Sequence, residues 1–218
     1  MGILALSALV VAGTGFWLFS RSLPGFKLTQ KKVQKDLESM EAEVRSFFHD
    51  PVKLDKNDLE ILSYNVKSAE RKKIGGKKWK ATITSIFEEP VAGVSYRRYN
   101  AKNALWVILT HQRAFYYWEK EKDVSMVIDD QVLGSYQPAE GYLIGQRTGK
   151  MIAKLDKSST DRHPLVIQGD EVASVKIPKS SDLIQRVFDY TGNNLSAEEE
   201  AIILAIVLYE VARQADSK

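Results

Sequence analysis

Apolar residues follow four different spacings along this chain, and each spacing predicts a different element. Between residues 78 and 177 they largely alternate with polar ones, the period-two pattern of half-buried strands. In Lys78 to Phe87, Trp79, Ala81, Ile83 and Phe87 fall on one face, and Lys78, Lys80, Thr82 and Thr84 on the other. Further strands are predicted at Val94 to Tyr99, Leu105 to Leu109, Ala114 to Trp118, Val124 to Ile128, Val132 to Tyr136, Tyr142 to Gln146, Lys150 to Leu155, Leu165 to Gln168 and Val172 to Ile177. Short turns between them imply an antiparallel meander of hairpins. Val127 to Ser135 and Val166 to Ser174 form a weak repeat of strand, polar turn and strand, about 40 residues apart. Small residues at Gly134 and Ala173 are expected where the sheet comes close to something bulky, with a buried helix the natural occupant.

That helix is predicted at the chain's end, from Leu195 to Gln214. Ile202, Ile203, Leu204, Ile206, Val207, Leu208 and Val211 cover most of its circumference, and Ala201, Ala205 and Ala212 fill the rest. No broad polar face remains for water. The apolar run is too short to cross about 30 Å of hydrocarbon and is bracketed by Glu198, Glu199, Glu200 and Glu210, so it belongs inside protein. Ser196 followed by Glu199 has the form of a capping box that starts the helix. A barrel or strongly curved sheet wrapped around it is the expected setting; a helix sandwiched between two layers is the competing one.

A third spacing, alternately four and three, places Val33, Leu37, Met40, Val44 and Phe47 on one seam of an amphipathic helix between Thr29 and Phe48. Two readings stand side by side. The seam contacts a partner helix or a second copy, or it lies on the chain's own domain or on a bilayer surface. Fourth, Ile3 to Phe19 carries no charge and, extended to Ser20, makes roughly 30 Å of helix. No basic residue precedes it, and bulky Phe16 to Phe19 replaces a cleavage site, which predicts an uncleaved membrane anchor. Arg21, Lys27, Lys31, Lys32 and Lys35 on its carboxyl flank place the rest of the chain in the cytoplasm. The expected organisation is an anchor over 1–25, an amphipathic stalk helix over 26–50 and a barrel domain over 51–218.

Composition changes this picture little. The 218 residues, 44% hydrophobic and 27% charged, suit one globular domain with an appendage. A net charge of +3 does not point to nucleic acid. Cysteine is absent, which excludes disulfides, thiolate metal sites, cysteine nucleophiles and S-acylation.

The paired hairpins ending Val132 to Ser135 and Val172 to Val175, the segments Gly141 to Gly145 and Gly149 to Ala153, and Leu195 to Ala201 opening a last apolar helix resemble the tubby-like superfamily. That superfamily includes the phospholipid scramblases and a plant family of similar barrels. The resemblance covers roughly Ala104 to Arg213. It implies a mainly β, α+β fold, an antiparallel barrel threaded by the carboxy-terminal helix, with roles in membrane association, phosphoinositide binding or lipid movement. Scramblases differ in carrying acylatable cysteines, and their anchor is not amino-terminal.

Candidate chemistry lies in the charge clusters. Lys67, Arg71, Lys72, Lys73, Lys77, Lys78 and Lys80 surround Gly75 and Gly76 as a basic hairpin, offset only by Glu70. Near anionic headgroups each such charge contributes about 1 kcal/mol; the plainer reading is a hairpin kept soluble by its lysines. Arg97 and Arg98 extend a phosphate-binding surface, or are solvated. His49, His111 and His163 have no metal-ligand spacing, no nucleophile elbow occurs, and Asp129, Asp130 and Asp161 sit where turns are expected. The expectation is a non-enzymatic module, without cofactor or metal, that binds anionic lipid headgroups through Lys72, Lys73, Lys77, Lys78, Lys80, Arg97 and Arg98. The alternatives are a scaffold subunit of a membrane complex, contacting partners through Val33, Leu37, Met40 and Val44, and a scramblase-like protein.

Overall fold

The computed structural model describes residues 30–54, 58–72, 77–178 and 185–216. Helix α1 (Gln30–Phe47) precedes twelve strands, β1 (Leu62–Lys72), β2 (Lys78–Ser85), β3 (Pro90–Asn100), β4 (Asn103–Leu109), β5 (Ala114–Lys120), β6 (Asp123–Ile128), β7 (Gln131–Gln137), β8 (Tyr142–Gly145), β9 (Met151–Leu155), β10 (Arg162–Ile167), β11 (Asp170–Lys176) and β12 (Phe188–Thr191). Helix α2 (Ala197–Asp216) ends the chain. Every strand is antiparallel to its sequence neighbour, so the sheet order is the chain order, β1 to β12. Between the first and last strands the ring is drawn together, among the described residues, by one bridge, Ser63 to Arg186, with backbone hydrogen bonds from Tyr64 N to Gln185 O at 2.8 Å and Val187 N to Leu62 O at 2.9 Å. The result is a nearly closed barrel.

Alternation along each strand sends one set of side chains inward. Trp79, Tyr96, Trp106, Phe115, Tyr117 and Tyr136 form one core with α2, Trp106, Tyr117 and Tyr136 packing on its Tyr209, and Ile203, Ala205, Ile206 and Leu208 of the helix have no exposed surface. Burying a large aliphatic side chain is worth about 1.5–3 kcal/mol, so this all-round contact holds the helix at the barrel axis. Tyr117 also donates a hydrogen bond to the Ala205 carbonyl at 2.9 Å. The capping box forms: Ser196 Oγ accepts from Glu199 N at 3.2 Å, and Glu199 Oε2 accepts from Ser196 N at 2.8 Å.

The expected order of anchor, stalk and barrel is corrected. The anchor placed at Ile3 to Phe19 lies outside the described residues, and no helix among those residues is long and apolar enough to cross a membrane. Nor is α1 a free stalk. It lies flat on the outer face of β3 to β6, burying Val33, Leu37, Met40 and Val44 against Leu105, Val107, Leu109, Trp118 and Val127. Gly93 permits this close approach, because a Cβ there would stand 2.6 Å from Val44 Cγ1.

Three smaller expectations also change. Phe87 is exposed instead of inward-facing, because β2 ends at Ser85 and the chain turns back at Glu88, with φ of 64°. Gly134 makes room for a neighbouring strand and not for the helix: a Cβ would sit 2.0 Å from the Ile144 carbonyl oxygen on β8. The paired hairpins share their turn chemistry, with Asp129 and Gln168 at φ of 52° and 53°, and each pair carries a register shift.

Candidate functional site

Connections in an antiparallel meander alternate between the two ends of the barrel, so strand order sorts every hairpin to one mouth or the other. The β1–β2, β3–β4, β5–β6, β7–β8 and β9–β10 connections gather at the mouth where α2 ends. Lys77, at the foot of β2, binds Asp216 of α2 at 2.8 Å, and Lys157, between β9 and β10, binds Glu210 at 2.7 Å. The first turns of α1 reach the same end, since Lys32 Nζ lies 5.9 Å from the Tyr99 ring and Asp36 meets Arg97. Lys31, Lys32, Lys35, Arg71, Lys77, Lys78, Lys80, Arg98, Lys102, Lys120, Lys122, Lys154, Lys157, Arg162, Lys176, Arg186 and Arg213 therefore stand around one mouth, partly offset by Asp36, Glu70, Glu119, Glu121, Asp123, Glu140, Asp156, Asp161, Asp189, Glu210 and Asp216. The opposite mouth carries Glu88, Glu89, Asp129, Asp130, Asp170, Glu171, Glu198, Glu199 and Glu200 against Arg113, Arg147, Lys150 and Lys67, the last paired with Glu88 at 2.9 Å. One end is basic and the other acidic.

A cleft of about 950 Å³ opens at the basic end, between the last turns of α2 and the inner rim of the barrel. Its floor is a set of hydrogen-bonded carboxylates. Glu119 Oε1 accepts from Trp106 Nε1 at 3.0 Å and from the Tyr209 hydroxyl at 2.8 Å. Glu210 Oε1 accepts from the Tyr136 hydroxyl and from Lys157 Nζ, both at 2.7 Å. Burial, reinforced by these carboxylates, raises the Tyr136 and Tyr209 hydroxyls far above their ordinary range, so both remain donors. Burial, and then Lys157, lowers His163 at the cleft's edge, which favours its neutral form.

The acidic end holds a smaller cavity of about 620 Å³, lined by Ile128, Leu133, Ile152 and Ile202 together with Asp129, Asp130 and Arg147. Burial, and then Asp129 and Glu41, raises Asp130.

The predicted headgroup residues separate into different roles. Lys72 is in register with Lys78 across the β1–β2 ladder, and Lys73 lies outside the described residues. Lys78 is exposed. Lys77 is committed to Asp216, and Lys80 to Glu70 at 3.4 Å. Arg97 and Arg98, neighbours in sequence, point to opposite faces. Arg97 projects outward and clamps α1 through Asp36 at 2.6 Å and Glu43 at 3.4 Å, with Tyr99 also donating to Asp36 and Tyr116 donating to Glu41 at 2.8 Å. Arg98 lines the cleft, its Cζ 5.8 Å from the Tyr96 ring. The predicted partner seam, Val33, Leu37, Met40 and Val44, is spent on the chain's own barrel.

Sequence reasoning missed Glu119, Lys122, Lys157 and Arg213. The one available signal was phase: Glu119 continues the inward series Phe115, Tyr117, and so had to face the interior or its rim. No group of residues suited to hold a metal ion occurs among the described residues. No protein-family model, curated protein or solved structure matches this chain.

Proposed function

We propose that this protein is a non-enzymatic binding module whose barrel lays its basic end against an anionic phospholipid surface. The observation that carries this reading is the separation of charge between the two mouths. A body that is basic at one end and acidic at the other is turned by a negative surface so that the basic end faces it. Each lysine or arginine near such a surface contributes about 1 kcal/mol within a Debye length. Lys31, Lys32, Lys35, Lys78 and Lys122 are exposed at that end, available to headgroups without breaking an interior contact. Arg97, Lys77 and Lys80 are held by carboxylates of the chain itself and are secondary in this reading. The scaffold alternative is weaker, because the seam it relied on is covered.

Binding of the full-length protein to vesicles of defined composition tests the reading. Affinity for vesicles containing phosphatidylserine should fall with rising salt, and by roughly fivefold for each of K78Q and K122Q. E89K and E171K, at the acidic end, should leave it unchanged. Equal binding to neutral and anionic vesicles, insensitive to salt and to all four changes, would remove the proposal.

A further inference from the structure

One row of inner-rim residues at the basic end has an unusual order of charge. Strand register places Arg98 beside Ala104 across β3 and β4, and Ala104 beside Glu119 across β4 and β5. Arg98 and Glu119 therefore lie on the same inner face of the sheet, two ladder spacings or about 10 Å apart at the backbone. Only the methyl group of Ala104 stands between them. Both side chains line the cleft, and no ion pair joins them.

Each is also short of partners. Arg98 reaches no carboxylate within salt-bridge distance among the described residues. Its Cζ lies 5.8 Å from the Tyr96 ring, beside the Tyr96 hydroxyl, and its side chain is exposed to the cleft. Glu119 receives both of its hydrogen bonds, from Trp106 and Tyr209, on Oε1. Those donors fix the carboxylate, while Oε2 has no donor among the described residues. Trp106 and Tyr209 are themselves buried, so they serve as fixed donors that hold Glu119 at the edge of the cleft.

We propose that this cleft binds a zwitterionic group, a phosphate joined through a short link to an ammonium, with the phosphate on Arg98 and the ammonium on Glu119 Oε2. A guanidinium and a fixed carboxylate separated by one small residue are complementary to opposite charges on one small ligand. Either charge alone satisfies only half of the site. This site goes beyond docking on an anionic surface and does not depend on it. Its ligand carries no net charge, and its two residues face the cleft instead of the outer rim. The ligand's source is either a soluble phosphodiester or the headgroup of a zwitterionic phospholipid.

Titration of the full-length protein with glycerophosphoethanolamine, followed by calorimetry or by amide shifts, is the test. Glycerol phosphate and ethanolamine serve as single-charge controls, and uncharged phosphatidylethanolamine bicelles as the lipid arm. The zwitterion should bind roughly tenfold or more tightly than either control, and R98Q and E119Q should each lower its affinity by a similar factor. E119Q keeps the oxygen that accepts from Trp106 and Tyr209, so it should melt close to the parent protein. Binding of the soluble compound identifies a free ligand, and binding only on bicelles identifies a lipid headgroup; both support the site. No binding in either form, binding of glycerol phosphate as tight as that of the zwitterion, or an E119Q variant that melts normally and binds undiminished would overturn it. No anionic lipid is present in these titrations, so their failure is separate from failure of the surface reading.

Discussion

Helices α1 and α2 sit on opposite sides of the same sheet, and each is matched to its place. α2 is apolar all round, and the sheet wraps it; Leu204, Ile206 and Leu208, spread over different faces, are all buried. α1 is apolar along one stripe and is held by two mechanisms, the seam of Val33, Leu37, Met40 and Val44 and a row of charged contacts at its edges. The difference teaches where cooperativity resides. Removing α2 from its place empties the barrel, whereas loosening α1 uncovers one face of a barrel that still has its core.

The comparison is broken most severely by L208D, which sets an unpaired charge on the barrel axis. It should cost more than about 5 kcal/mol and leave no cooperative transition in denaturant. L37A, in the outer seam, should cost about 2–4 kcal/mol and still unfold in one transition; a loss as complete as that of L208D would mean that α1 is part of the central core. R97A removes the clamp and leaves Asp36 with only its Tyr99 partner, an expected cost of about 1–3 kcal/mol. A double-mutant cycle of R97A with D36A should recover part of that loss as coupling, and strict additivity would deny the clamp.

The smallest effect belongs to the cap of α2. Hydrogen bonds from Ser196 hold the Glu199 carboxyl below its ordinary value of 4.5. A lowered acid stabilises the fold above its unfolded-state value, and that contribution is lost as pH falls through the lower folded-state value. Glu199 is only partly covered, so solvent screening limits the effect to a few tenths of a kcal/mol. E199Q should flatten the stability profile below about pH 4.5 by that amount while leaving the fold intact.

The two helices also mark what was legible in the sequence. The periodicity of α2 left it no solvent face, and its enclosure could be read from the chain alone. The α1 stripe was equally plain, but a stripe says only that one face is covered and not by what; its cover, Leu105, Val107, Leu109 and Trp118, lies some sixty residues or more away. Only the far half of strand β1 was read, as one arm of the basic hairpin; its alternation over Leu62, Tyr64 and Val66 is short and is lost at Ser68 and Glu70, where the register shifts. At four residues, β12 is too short to show a period. For the site, the cluster around Lys78 was visible as composition. The roles of Arg97 and Arg98 were not, because they depend on which face of β3 each takes. The row Arg98, Ala104, Glu119 exists only through the register of three strands.

The central claim is directional, that the basic mouth and not the acidic one meets an anionic surface. The chain has no cysteine, so single cysteines can be placed cleanly at exposed turns of either end: Ala139 between β7 and β8 at the basic mouth, and His111 between β4 and β5 at the acidic one. With a polarity-sensitive fluorophore on each in turn, phosphatidylserine vesicles should shift the emission of the Ala139→Cys label towards a less polar environment and leave the His111→Cys label unchanged. An equal response at both positions, or a response at His111→Cys alone, would contradict the account.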